Sequence, residues 1–371
     1  MPLRSITKAV RQSLRRFGQS RDAFRRRFSK TLLDRAPRPL KSSRPQIVFV
    51  RWDGKLGDSI VLSWVYAALA QQRPDLQVTV LTHGALVDLH HKGFGVTDVV
   101  PCSKRPSWRE LWRLARSVRG AQAIVHLSES FKPRDFLFLK LARPAQVVGL
   151  DDATESVSFK LGRKTENTHF SQKLVPWLQT LGVAQPNIQY VVPFDETLQK
   201  AVQAHWPTSP VIGFCPFSGG GGRTFSYPVM EKLIRLMREH TTWPIALLGT
   251  PERHAQLIHW VEQLNDDQVF VVDPSHGLGG LFAHVRQCDC IVTVDTAIVH
   301  IASGLDKPQL AIYRTDILNY RKWHPNSFLA QSMHVKGVVD KINQEDFALL
   351  FKQLLSQISY PSEQIVSSDT P

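Results

Sequence analysis

Two apolar rhythms alternate along the chain. Short unbroken apolar runs at 46–51, 76–81, 96–100 and 123–127 read as strands covered on both faces. Between them, positions 59–72 and 108–118 repeat apolar residues at helical spacing. The pattern then pauses over 186–206, which carries Pro186, Pro193 and few periodic residues. It resumes with strands at 211–215, 245–249, 269–272, 291–294 and 309–313. Helices are expected at 227–239, from 251, at 278–288 and at 296–303. Strand and helix in alternation predict an α/β chain with parallel sheets. The pause predicts two domains, at 46–190 and 205–345, with a helix end and tail over 346–371.

Charge sets the first 45 residues apart. They hold 14 Lys and Arg against only Asp22 and Asp34, a net +12 out of +14 for the whole chain. The body is therefore nearly neutral, which argues against a nucleic-acid partner. On a helix of about 100° per residue, Leu3, Ile6, Val10, Leu14, Phe17, Phe24, Phe28 and Leu32 fall in one stripe about 80° wide. Arg11, Arg15, Arg16, Arg25, Arg26 and Arg27 lie beside or opposite it. A basic amphipathic helix of this kind suits an anionic membrane surface. A helix docked on the body and an Arg-rich targeting segment share the pattern. Residues 36–45, rich in proline, read as a linker.

No apolar run approaches the roughly 18–20 residues of a spanning helix. A cytoplasmic protein, peripheral on the cytosolic face of the inner membrane and monomeric, is the expectation. The four cysteines, Cys102, Cys215, Cys288 and Cys290, lack metal-ligand spacing and read as buried thiols. No metal or cofactor is expected.

Candidate chemistry gathers at predicted strand ends, where open α/β sheets bind ligands. Trp52-Asp-Gly-Lys-Leu-Gly-Asp58 follows the first strand. Gly54, Lys55 and Gly57 form a tight loop that allows close approach, and Asp58 opens the following helix. Asp58 reads either as an N-cap or as a general base. Ser218, Gly219, Gly220, Gly221 and Gly222 precede Arg223, a backbone-rich loop and a guanidinium suited to phosphate. Asp295 and Thr296 stand at a strand end before a helix start, with His300 one turn on. They read as helix caps and a core histidine, or together as an anion site. Glu252 occupies the first turn after 245–249, where it suits the helix dipole or a ribose.

These blocks resemble the lipopolysaccharide core heptosyltransferases of glycosyltransferase family 9. The resemblance rests on Ile47 to Asp58, the glycine loop with Arg223, Leu248-Gly-Thr-Pro-Glu252, and Asp295-Thr-Ala-Ile-Val-His-Ile-Ala-Ser303. It implies a GT-B fold: two Rossmann-like domains with parallel sheets facing a central cleft. It implies inverting, metal-independent transfer from ADP-heptose to a lipid-linked core oligosaccharide. Asp58 corresponds to the general base and Arg223 to the diphosphate cation. Glu252 corresponds to a ribose contact, and Asp295, Thr296 and His300 to the donor block. Ala297 stands where many members have glycine. The same fold with another nucleotide sugar, and a non-catalytic nucleotide- or lipid-carrier-binding module, are the alternatives.

Overall fold

The computed structural model describes residues 30–38, 40 and 44–358. The amphipathic helix expected over 3–32 lies outside these residues apart from its last few, and residues 30–33 are helical. The chain forms two compact units. The first comprises residues up to Gly54, then Val65–Thr168 and Gln172–Asn187. The second comprises Lys55–Trp64, His169–Ser171 and the chain from Ile188 onward.

In the first unit, strands β1 (Arg44–Val50), β2 (Gln77–Thr82), β3 (Asp98–Pro101), β4 (Ala121–His126), β5 (Gln146–Gly149) and β6 (Phe159–Lys160) form one sheet. Its order is β3-β2-β1-β4-β5-β6, and every pairing is parallel. The strands are connected in part by helices α1 (Leu56–Gln72, whose first half, to Trp64, belongs to the second unit), α2 (Trp108–Ser117) and α3 (Pro133–Ala142), with α4 (Val175–Thr180) following β6. Helix α2 starts where Ser107 accepts a bond from the Glu110 N–H at 3.3 Å, the N-cap that its sequence position suggests. It turns Leu111, Leu114 and Ala115 inward to join Val48, Val50 and Ile124 in the core.

The second unit repeats the plan. Helix α5 (Glu196–Gln203) precedes β7 (Ile212–Cys215), α6 (Tyr227–Arg238), β8 (Ile245–Leu247), α7 (Pro251–Leu264), β9 (Val269–Val271) and α8 (Gly277–Gln287). Then come β10 (Cys290–Val294), α9 (Ala297–Gly304), β11 (Gln309–Arg314), α10 (Ile317–Trp323), β12 (Ala330–Val335) and α11 (Gln344–Gln357). The sheet order is β12-β11-β10-β7-β8-β9, all parallel. Helix α6 shows why the sequence folds so. Pro228 sits at its first turn, where a missing N–H costs nothing. Met230, Leu233, Ile234 and Met237, at helical spacing, are buried beneath it.

Each sheet reverses direction of growth once, between β1 and β4 and between β7 and β10. Those two crevices are where a doubly wound sheet accepts ligands. The loops singled out at 51–57, 216–223 and 295–296 all leave strands bordering one of these two reversal points.

Two expectations need correction. The crossover read over 186–206 holds a regular helix, α5, capped by Asp195, whose carboxylate accepts from the Leu198 N–H at 3.0 Å. Asp58 does not open α1: the helix begins at Leu56, so Asp58 is its third residue. The cap position falls to Lys55, whose carbonyl accepts from Ser59 at 3.0 Å.

Candidate active site

The site in the second unit is built around the β7–β10 reversal. The loop after β7 is pinned to the end of β10. The Ser218 hydroxyl donates to the Asp295 carbonyl at 2.8 Å and accepts weakly from the Gly220 N–H at 3.4 Å. Arg223 Nη1 forms an ion pair with the Asp295 carboxylate. The same carboxylate oxygen accepts from Asn319 Nδ2 at 3.1 Å. Gly220 is required for this arrangement, since a β-carbon there would lie 2.2 Å from the Arg223 guanidinium. Gly219 and Gly221 face open space. Gly222 turns with φ +74°, a conformation that favours glycine. Arg314, at the end of β11, holds the outside of the loop through the Gly221 carbonyl at 3.3 Å.

Helix α9 starts at the centre of this cluster. Thr296 occupies its N-cap, yet its side chain makes no capping bond. The capping role expected of Asp295 and Thr296 is therefore absent. Asp295 is turned to Arg223 and Asn319 instead, and the first-turn N–H groups of α9 keep their dipole for an anion.

His300 stands one turn along α9, fully enclosed, and its Nδ1 meets no partner. Burial, with His169 and His324 nearby, pushes its pKa down to about 3. It is a neutral imidazole at physiological pH, with one N–H to give. Trp323 packs against it, ring centroids 5.7 Å apart, and Phe170 stacks on Trp323 at 4.2 Å. Asn319 and Trp323 are four residues apart on α10, so one helix face serves both Asp295 and His300.

His90, buried in the first unit, is likewise held neutral, with its pKa lowered to about 4. Both histidines bind a proton in the unfolded chain below pH about 6.5 but not in the folded one. Stability is therefore expected to fall on acidification from pH 6.5 to about 4, by about 1.4 kcal/mol per pH unit for each histidine. Melting temperatures of wild type and His90→Asn between pH 7.5 and 4.5 check this. An unchanged slope in the variant would refute it for His90.

The start of α1 joins this cluster. A β-carbon on Gly57 would lie 2.9 Å from His300 Cδ2 and 3.4 Å from Ala297 Cα. Gly57 thus lets the first turn of α1 rest directly on the first turn of α9, against the Ala297 methyl. Asp58, the next residue, is half-buried. Lys55 is exposed. Gly54 closes the preceding turn by donating to the Arg51 carbonyl at 2.9 Å. Glu252 lies in the first turn of α7, exposed, after β8, which is the neighbour of β7. A hydrogen bond to Thr250 holds its carboxyl below the usual range. The next residue, Arg253, covers Phe217 at 5.0 Å. Asn319, Arg314 and Trp323 were not singled out from the sequence. Asp316, which caps α10 through the Asn319 N–H at 3.0 Å, was the available signal.

Among the described residues no cluster of three His, Cys, Asp or Glu is placed to hold a metal. Cys215, Cys288 and Cys290 are buried and Cys102 is half-buried, all as free thiols. Burial raises their pKa values, in Cys215 to about 11 and in Cys102 to about 12, which leaves them poor nucleophiles.

The family model described as glycosyltransferase family 9 (heptosyltransferase) matches residues 111–336, well over half of the chain. The chain belongs to glycosyltransferase family 9. The matched span takes in Arg223, Glu252 and the Asp295–His300 block, and starts after the Asp58 loop. No curated protein matches. Among solved structures, it is similar to the ADP-heptose lipopolysaccharide heptosyltransferase II of Escherichia coli, at 17% identity and TM-score 0.65. That match covers 84% of this chain and 99% of the other. A family 9 glycosyltransferase from Veillonella parvula gives 16% identity and TM-score 0.67, covering 86% and 99%. The E. coli heptosyltransferase WaaC, solved with ADP, gives 16% and 0.62, covering 85% and 100%. The family 9 chain therefore has the α/β GT-B fold and is a glycosyltransferase of the heptosyltransferase type. A non-catalytic binding module is set aside on that ground.

Proposed function

We propose that this enzyme moves heptose from ADP-heptose to a lipopolysaccharide core acceptor, with inversion at the anomeric carbon. The reading is carried by one juxtaposition: Gly57 rests on Ala297 and His300, which sets Asp58 beside the uncapped helix start that Arg223 flanks. Asp58 takes the proton of an acceptor hydroxyl. The oxygen attacks the anomeric carbon as the bond to ADP breaks, so a single displacement inverts the centre. Negative charge grows on the departing diphosphate. Arg223, the Thr296 hydroxyl and the first N–H groups of α9 receive it, which is electrostatic stabilisation by fixed groups. A neutral His300 adds a hydrogen bond without adding charge.

Asp295 takes a different part. A carboxylate repels a diphosphate, so its contribution is to hold the guanidinium of Arg223 in place. Glu252 lies where ribose hydroxyls are met in nucleotide-binding sheets. Gly54, Lys55 and Gly57 border the acceptor. The ADP held by the similar heptosyltransferase WaaC supports adenine over other bases. No helix among the described residues is long and apolar enough to cross a membrane. The basic N-terminal segment supports attachment to the cytosolic membrane surface.

Calorimetric titration with ADP, UDP and GDP tests the donor, followed by mass detection of product with ADP-heptose and a truncated core acceptor in the presence of EDTA. ADP is expected to bind tightest, and the acceptor to gain one heptose. Preference for UDP or GDP would assign another nucleotide sugar to the same fold. Loss of transfer on chelation, restored by Mg²⁺, would overturn the metal-free mechanism.

A further inference from the structure

A pocket of about 560 Å³ opens in the first unit, between the chain at 32–38 and the last turn of α3. It lies at the amino ends of the strands, since α3 runs back from the carboxyl end of β4 to the start of β5. The reversal point at the carboxyl ends is not part of it. Arg35, Arg38, Lys140 and Arg143 line it, with Leu33 and Leu139 as apolar wall and no carboxylate among the described lining residues. None of the four cations forms an ion pair with a carboxylate among the described residues.

The pocket wall is fixed. Asp34, almost wholly buried, accepts from the backbone N–H groups of Glu155 at 3.0 Å and Ser156 at 2.7 Å, and from the Ser156 hydroxyl at 2.7 Å. That ties the stretch bearing Arg35 and Arg38 to the body of the unit. Arg143 is held at φ 48° at the C-cap of α3. Glycine or asparagine is the usual residue there, so a strained position carries a guanidinium at the pocket mouth. The rim is apolar and open: Leu32 is 56% exposed. Four cations with no carboxylate ion pair among the described residues, beside an apolar wall, match a phosphorylated amphiphile at a bilayer interface.

We infer that this pocket binds the phosphate of an anionic membrane phospholipid. It extends the membrane-surface reading of the N-terminal segment, and it is independent of the transfer chemistry.

The test uses the full chain and three probes: vesicles of phosphatidylcholine with phosphatidylglycerol, soluble dihexanoyl phosphatidylglycerol below its micelle concentration, and inorganic phosphate. Arg38→Gln and Arg143→Gly remove cations, and the second also relieves the strained backbone, so it is expected to keep or raise the melting temperature. Each is expected to weaken vesicle partition roughly fivefold, as for one basic side chain at an anionic surface, and to weaken binding of the soluble lipid. Lys92→Gln, an equal charge change on the β2–β3 connection, is expected to leave soluble-lipid binding unchanged. Replacing Arg25, Arg26 and Arg27 by Gln is expected to weaken vesicle binding alone. Absence of soluble-lipid binding in the wild type, or its persistence in folded Arg38→Gln and Arg143→Gly, overturns the pocket while leaving the N-terminal reading to the vesicle result. Phosphate binding as tightly as the lipid overturns the lipid assignment.

Discussion

Asp58→Ala is expected to lower turnover by roughly 10²- to 10⁴-fold, the range for losing a positioned base, while ADP affinity stays near that of the wild type. The reason lies in the first turn of α1. Asp58 is its third residue, so its charge faces the positive end of the helix and is favoured there by about 0.3–1 kcal/mol. Removing it costs the fold little, and a loss of turnover reports on chemistry. Asp58→Asn sharpens the result, because it keeps the shape and removes only the capacity to take a proton. A kcat that survives in Asp58→Asn would show that the proton leaves by another route. A loss confined to KM would place Asp58 in acceptor binding instead.

The second large effect is expected at Arg223. Arg223→Met removes the one guanidinium paired to Asp295, and a loss of about 10²- to 10³-fold in kcat is expected, as for removal of a group that receives charge in the transition state. The partner left behind makes the effect larger. Asp295 is 8% exposed, and in the variant its carboxylate keeps only the Asn319 amide, at 3.1 Å, of its side-chain partners among the described residues. An unneutralised carboxylate then faces the growing charge of the diphosphate. The double variant Arg223→Met/Asp295→Asn is therefore expected to be more active than Arg223→Met alone. A double-mutant cycle measures the difference. Additive losses would mean that Asp295 acts on the donor by itself and not through Arg223.

Much of this architecture was legible because buried parallel strands leave unmistakable apolar runs: Ile47 to Val50 and Ile291 to Val294 are both wholly enclosed. Legibility ended where burial ended. Helix α10 buries none of its residues, so it has no apolar period, although Asn319 and Trp323 on it complete the site. Helix α3 was missed for the opposite reason. It buries Asp135, Phe136, Phe138, Leu139 and Ala142, too many around its circumference to leave a polar stripe. Among site residues, the Asp295-Thr296-His300 spacing could be read, but its assignment of tasks could not. Which carboxylate caps a helix and which holds an arginine depends on Arg223, 72 positions away in sequence. The same holds for Gly57, whose need for a bare α-carbon comes from His300 and Ala297.

The bare start of α9 has a consequence for the lifetime of the protein. A missing N-cap leaves a helix short by about 1 kcal/mol, and Thr296, a residue able to serve, leaves that bond unmade. On the reading proposed above, the donor diphosphate is the absent cap. Folding and saturation are then linked: each tenfold rise of donor above its dissociation constant adds about 1.4 kcal/mol to stability. A cell rich in nucleotide sugar would hold more of this enzyme intact, and one starved of it would lose enzyme to unfolding and proteolysis. Supply of the substrate would in this way set the abundance of its catalyst without any dedicated regulator.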